Sequence, residues 1–205
     1  MLYSQDKGVL FLEVPKTGTV AVATAVRGIC RQYRALPRHV PAHRARREFT
    51  PERWKELKTV AFVREPTAWL RSWYCYVNGI GRIGEDISFN SFVELVAHDA
   101  PINGQNIGVK TQFERISDRR QRRVIVSRLL CFEHLADEYN SVNAELLNGE
   151  GKDLTRKNVS PRKDAQIAPE TEQLISERWA IDAQIWAEVK AKADRRMVRR
   201  AAATT

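Results

Sequence analysis

Cysteine is scarce in this chain, and what there is stands far apart. Cys30, Cys75 and Cys131 form an odd set of three, with neither a metal-ligand spacing nor a disulfide framework. No apolar run reaches the length of a membrane span, so no transmembrane segment is expected. The opening stretch MLYSQDKGVLFLEV lacks a small-residue cleavage site and carries an acid and a lysine ahead of its short apolar run. It reads as a first β-strand and not as a signal peptide. A reducing cytoplasm is the compartment these features fit. Glycine is also sparse, and the pattern GxxxxGK[ST] is absent, which disfavours ATP or GTP hydrolysis of the Walker kind. Repeats, low-complexity tracts, zinc patterns and aromatic RNA-binding motifs are missing too.

What remains is a chain of 205 residues with 43% hydrophobic and 29% charged side chains, suited to one globular domain over residues 1–205. Lysine and arginine outnumber the acids 34 to 25, a net charge of +9 that attracts anions without naming them. The excess is clustered. Arg27, Arg31, Arg34, Arg38, Arg44, Arg46 and Arg47 share a stretch without a single acid. Arg115, Arg119, Arg120, Arg122 and Arg123 form a second group, and Arg195, Arg196, Arg199 and Arg200 a third. The third is expected to belong to a frayed basic tail over 190–205.

Hydrophobic patterning predicts buried strands at Gly8–Val14 and Thr59–Val63 and a third within Arg122–Phe132. Helices are expected over Val20–Tyr33, from Pro51 with Thr50 as its cap, and over Trp69–Val77. Others fit Phe89–His98, Glu133–Leu147 and a long stretch from Pro169 onward. Asn78–Gly84 and Gly149–Pro161 read as loops. Strands alternating with helices imply an α/β fold: a central, mostly parallel sheet flanked by helices, with ligands beyond the carboxyl ends of its strands.

Two loops leave such strand ends. Pro15-Lys16-Thr17-Gly18-Thr19 joins strand to helix, where successive N–H groups and the helix end form an anion nest. Gly18 permits close backbone approach, Thr17 and Thr19 offer hydroxyls, and Lys16 supplies a point charge suited to a departing oxyanion. The second loop is Val63-Arg64-Glu65-Pro66. An arginine at a strand end grips a phosphate bidentately, and Ser72 on the following helix is placed to donate to the same group. Helical spacing assigns Trp69 and Trp73 to the core.

With both loops in view, the chain resembles the family of sulfotransferases that use 3′-phosphoadenosine 5′-phosphosulfate (PAPS), and more its carbohydrate-type branch. PKTGTVAV resembles the family's 5′-phosphosulfate loop, and FVREPTAWLRSWY its 3′-phosphate motif, an arginine followed eight residues later by a serine. HVPAH at 39–43, TQFERISD at 111–118, LLCFEHL at 129–135, NVSP at 158–161 and the last helix with Asp182 and Trp186 extend the likeness over most of the chain. Val20 and Ala21 stand where the family carries hydroxyl residues, and Glu13 where histidine is common.

The resemblance implies a P-loop-like three-layer fold and in-line transfer of a sulfuryl group from PAPS to a hydroxyl acceptor, a saccharide or another polyhydroxyl compound. No metal is implied. Residues 15–20, from Pro15 to Val20, would hold the phosphosulfate, with Lys16 on the bridging oxygen. Arg64 and Ser72 would hold the 3′-phosphate, and Lys157, Asn158 and Ser160 would close over the nucleotide. His39 is the first choice for general base, His43 the second and Glu13 the third. Two other readings stay open. A metal-dependent phosphotransferase or hydrolase would need a strand-end acid, for which Glu65 and Glu133 are the candidates, and the basic charge leaves room for a nucleic-acid-binding module.

Overall fold

The computed structural model describes residues 1–33, 37–84, 87–105, 107–118, 120–155 and 166–203. The amino-terminal stretch, expected as one strand, folds back on itself. β1 (Leu2–Ser4) and β2 (Val9–Phe11) form an antiparallel hairpin with Leu2 opposite Phe11. The turn between them is polar. Gly8 closes it at φ +62°, a left-handed value that is cheap only for glycine.

α1 (Thr19–Ala25) stops well short of Tyr33. Gly28 disfavours continuing the helix, and Arg31–Gln32 instead pair with β1 as β3. α2 (Ala42–Ala45) follows, with a single 3₁₀ turn behind it, and then α3 (Pro51–Glu56). α3 starts as its sequence signals: the Thr50 hydroxyl accepts from Arg53 N–H at 3.2 Å, and Pro51 takes the first position, where its missing N–H costs nothing.

β4 (Lys58–Val63) leads into α4 (Pro66–Gly79), which runs past the expected loop start at Asn78. Next come α5 (Phe89–Ala97), α6 (Gln112–Ile116) and a small hairpin of β5 (Ser117–Asp118) and β6 (Arg123–Val124). The strand expected within 122–132 is therefore divided between β6 and β7 (Arg128–Cys131). α7 (Leu135–Leu146) follows. The carboxyl-terminal helix is broken into α8 (Pro169–Arg178) and α9 (Ala180–Ala203), because the bend at Trp179 turns that indole into the core beside Trp69. Residues 190–203 are regular helix and not a frayed tail: Val189 and Ala193 are buried, and Arg196 bonds Glu138.

The main sheet has the order β3-β1-β2-β4-β7. It is mixed, not mostly parallel: β4 runs parallel to β2 and β7, while the amino-terminal hairpin contributes the antiparallel pairs of β1 with β2 and β3. Helices flank it. Along β4 the pleat sends Val60 and Phe62 into a core shared with Val22 of α1 and Tyr139 of α7. Ala61 and Val63 enter another with Val189 and Ala193 of α9. A third cluster joins Trp69 and Leu70 of α4 to Phe92 of α5 and Trp179. Among the described residues no helix is long and apolar enough to cross a membrane.

Candidate functional site

β2 and β4 are parallel neighbours, so the loops that follow them emerge side by side. Leu12 N–H still bonds Val60 O at 2.8 Å, which carries the pairing to the brink of the first loop. Two contacts then join the loops. The Arg64 guanidinium donates to the Lys16 carbonyl at 3.3 Å, and the buried Trp69 indole N–H donates to the Pro15 carbonyl at 2.8 Å. Gln112 clamps the Arg64 backbone from the far side, accepting from its N–H at 2.9 Å and donating to its carbonyl at 2.8 Å. Lys16 and Arg64, expected to share one crevice, are brought together.

Neither cation forms an ion pair with a described carboxylate. Lys16 Nζ lies 4.3 Å from the centre of the Tyr76 ring, and the Arg64 guanidinium lies 4.4 Å from that of Phe132. Such contacts are worth about 0.5–2 kcal/mol each, well short of the hydration that a half-buried cation gives up. Burial first, then the positive charge of Arg64, holds Lys16 below the ordinary lysine value. Burial likewise lowers Arg64 against the opposing pull of Glu133 and Glu65, and Arg64 Nε is buried with no hydrogen-bond partner. The pair forms a centre of positive charge that Glu133 and Glu65 offset in part and without a direct ion pair.

The backbone adds to it. Lys16 is held at φ +66° and Gly18 at φ +78°, alternating left-handed residues that turn successive N–H groups to one side. A left-handed lysine costs about 1–2 kcal/mol, so the loop holds this geometry against local preference. Gly18 is needed for a reason the sequence reading did not anticipate. A Cβ there would lie 2.8 Å from Leu135 Cδ2, so the glycine admits the start of α7 as well as its own φ.

The remaining expected residues fare differently. The Thr17 hydroxyl is not a ligand donor: it is buried and donates to Val14 O at 2.8 Å, locking the turn from within. Thr19 is half-buried as the first residue of α1, and Val20 beside it is exposed, leaving only its N–H for a ligand. Ser72 is buried on α4, two turns beyond Arg64. Lys157, Asn158 and Ser160 lie outside the described residues.

Of the three proposed bases, Glu13 is held in ion pairs. Its carboxylate is buried, bound by the Met1 ammonium at 2.8 Å and by Arg38 at 2.7 Å. Burial alone would raise its pKa, but these cations outweigh it and hold it below the ordinary 4.5. His39 sits over the same strand end. Its Nδ1 lies 2.8 Å from the Glu13 carbonyl, an acceptor, so Nδ1 must carry the proton and Nε2 keeps its lone pair. Burial lowers the His39 pKa despite the Glu13 carbonyl and carboxylate, and Arg115 grips its carbonyl at 2.8 Å, fixing a left-handed φ of +61°. His43 is half-buried on α2.

Sequence reasoning missed the supports. Asp182 on α9 accepts from the N–H groups of Gln112 and Phe113, both at 2.8 Å. Glu133 accepts from Glu65 N–H at 2.9 Å and from the Trp186 indole at 3.0 Å, while Glu65 caps α4 through Thr67 and Ala68 N–H. Glu65 and Glu133, candidates for binding a metal, are thus holding backbone. Among the described residues no cluster of His, Cys, Asp and Glu suited to a metal ion is present. The loosely matching segments at 111–118, 129–135 and 182–186 all converge behind Arg64, which a pairing of distant motifs in the sequence would have suggested.

The chain matches no protein-family model and no curated protein.

Proposed function

We propose that the chain is a PAPS-dependent sulfotransferase acting on a hydroxyl acceptor, a saccharide or another polyhydroxyl compound, on a P-loop-like three-layer fold in the cytoplasm. The observation that carries this reading is the pair of half-buried cations without a direct ion pair, Lys16 and Arg64, delivered by two adjacent strand-to-helix loops. PAPS is anionic at both ends of its ribose, and two cations on separate loops suit that geometry. The resemblance of both loops to the family's two nucleotide motifs supports the same choice.

In the reaction the acceptor oxygen attacks sulfur in line while the bond from sulfur to the bridging oxygen of PAPS breaks. The products are the sulfated acceptor and 3′,5′-ADP. Positioning and charge stabilisation supply most of the rate in such transfers. Lys16 neutralises the charge gathering on the bridging oxygen, and the N–H groups of the 15–20 loop hold the 5′ end. Arg64, with Ser72 behind it, holds the 3′-phosphate. The acceptor proton passes to Nε2 of His39: the Glu13 carbonyl fixes the ring proton on Nδ1, and burial lowers the pKa of the ring, so Nε2 keeps its lone pair.

The test is a thermal-shift titration with 3′,5′-ADP followed by a labelled-sulfate acceptor screen. Saturable stabilisation and transfer to a hydroxyl compound support the reading. No stabilisation by 3′,5′-ADP, or magnesium-dependent turnover of ATP instead, would sink it.

A further inference from the structure

The candidate site leaves most of the first two arginine-rich stretches unused, and the fold brings parts of both together elsewhere. A groove of about 450 Å³ opens between the segment around α3 and the strand segment 123–127. Thr59 and Ser127 close its floor, each backbone N–H bonding the other's hydroxyl, at 2.9 and 2.7 Å. Thr59 stands near the amino end of β4, whereas Arg64 follows its carboxyl end. At about 3.3 Å per residue the two places are roughly 16 Å apart along the strand. The groove is separate from the Lys16–Arg64 site.

Its walls are apolar and its rim is basic. Trp54, Leu57 and Val126 line the inside, and Arg46, Lys55 and Arg123 stand around it. Trp54 is backed by Phe49, their ring centres 6.2 Å apart, which belongs to a cluster with Tyr3 and Tyr33, so the indole rests on a packed aromatic base. Arg46 is paired with Asp118 at 3.1 Å. Arg123 stands opposite Asp118 in the β5–β6 hairpin without a direct ion pair, Lys55 has no ion-pair partner among the described residues, and no acid lines the groove. Its size falls within the range of small-molecule sites.

We infer that this groove is a second ligand site, taking a small organic anion with a flat apolar body and a terminal carboxylate or sulfate. The body lies against Trp54 and Val126, and the anionic head sits between Lys55 and Arg123. An apolar cleft with a cationic rim binds such a molecule better than its neutral counterpart, because only the anion meets both surfaces. A nucleic acid strand would need a track of cations and several stacking rings, whereas the groove offers one indole.

The experiment titrates naphthalene-2-sulfonate into the full chain while following isotope-labelled tryptophan indole resonances, with the Trp54 signal assigned from Trp54→Phe. The expected result is saturable movement of that signal, weakened severalfold by molar salt. Lys55→Gln and Arg123→Gln should each weaken binding about threefold, the scale of exposed ion pairs. Saturating 3′,5′-ADP should leave the binding unchanged. Equal affinity for naphthalen-2-ylmethanol, unchanged affinity in both charge variants, or displacement by 3′,5′-ADP would each overturn the inference. So would tighter binding of a single-stranded oligonucleotide at the same residues, which would assign the face to nucleic acid.

Discussion

Two groups of charge sit a few residues apart at the end of β2 and are handled in opposite ways. Glu13 is buried with two cations against its carboxylate, the Met1 ammonium and Arg38. Lys16 and Arg64 are half-buried beside each other on aromatic rings, with no carboxylate in direct contact. Folding tolerates buried charge when it is paired and penalises it when it is not. The first group is what structure alone requires. The second persists in spite of that penalty, which the proposed nucleotide would offset.

Breaking the compensated group should have the largest effect on stability. Glu13→Ala leaves the buried Met1 ammonium without its carboxylate, while exposed Arg38 turns to water, for an expected loss of about 3–5 kcal/mol. That lowers Tm by roughly 6–15 °C in thermal denaturation, with 3′,5′-ADP affinity unchanged in whatever fraction is folded. Unchanged Tm would mean that the ion pairs around Glu13 contribute nothing. Lys16→Ala should show the reverse pattern: sulfate transfer at least about a hundredfold slower, with Tm within about 2 °C of the parent. Near-normal turnover removes Lys16 from the chemistry. Gly18→Ala falls between the two. It forces a Cβ into a left-handed position and against Leu135, at an expected cost of about 1–3 kcal/mol read by urea denaturation.

pH sharpens the contrast with smaller effects. The pKa of Glu13 is depressed on folding, so its contribution is present above the unfolded value near 4.5 and is lost as pH falls below it. The pKa of Lys16 is depressed as well, but for a base this means the ammonium gives up its proton below the usual 10.5. Affinity for 3′,5′-ADP should therefore decline on the alkaline side, beginning below that value. Asp182 makes a third case: burial pushes it up to about 6. The folded chain then holds a proton that the unfolded chain has released, and Asp182's share of stability falls as pH rises from about 4 to 6. Denaturation midpoints across the Glu13 and Asp182 windows, and 3′,5′-ADP titrations on the alkaline side for Lys16, check the three signs.

The sequence showed the two loops because their chemistry is local: a strand end, a few residues and a helix start. For the same reason Thr50-Pro51 and α5 were legible. The amino-terminal hairpin was not, since Gly8 reads as the first residue of an apolar run until β1 pairs across it. Nor was the direction of the Thr17 hydroxyl, which depends on where the Val14 carbonyl points. The supports of Arg64 were hardest of all. Gln112, Glu133 and Asp182 act across long stretches of chain, and each alone is an ordinary polar residue. The ion pairs of Glu13 were hidden too, because they come from Met1 and Arg38, which only the fold places beside it.

Lys16 and Arg64 are proposed to hold opposite ends of one nucleotide, and calorimetry with 3′,5′-ADP and with AMP, which lacks only the 3′-phosphate, decides whether they do. The parent chain should bind 3′,5′-ADP roughly 10- to 100-fold more tightly, the range for hydrogen bonds to a charged group, and Arg64→Ala should erase that preference. Equal affinity for the two nucleotides, or a preference that survives Arg64→Ala, would contradict it.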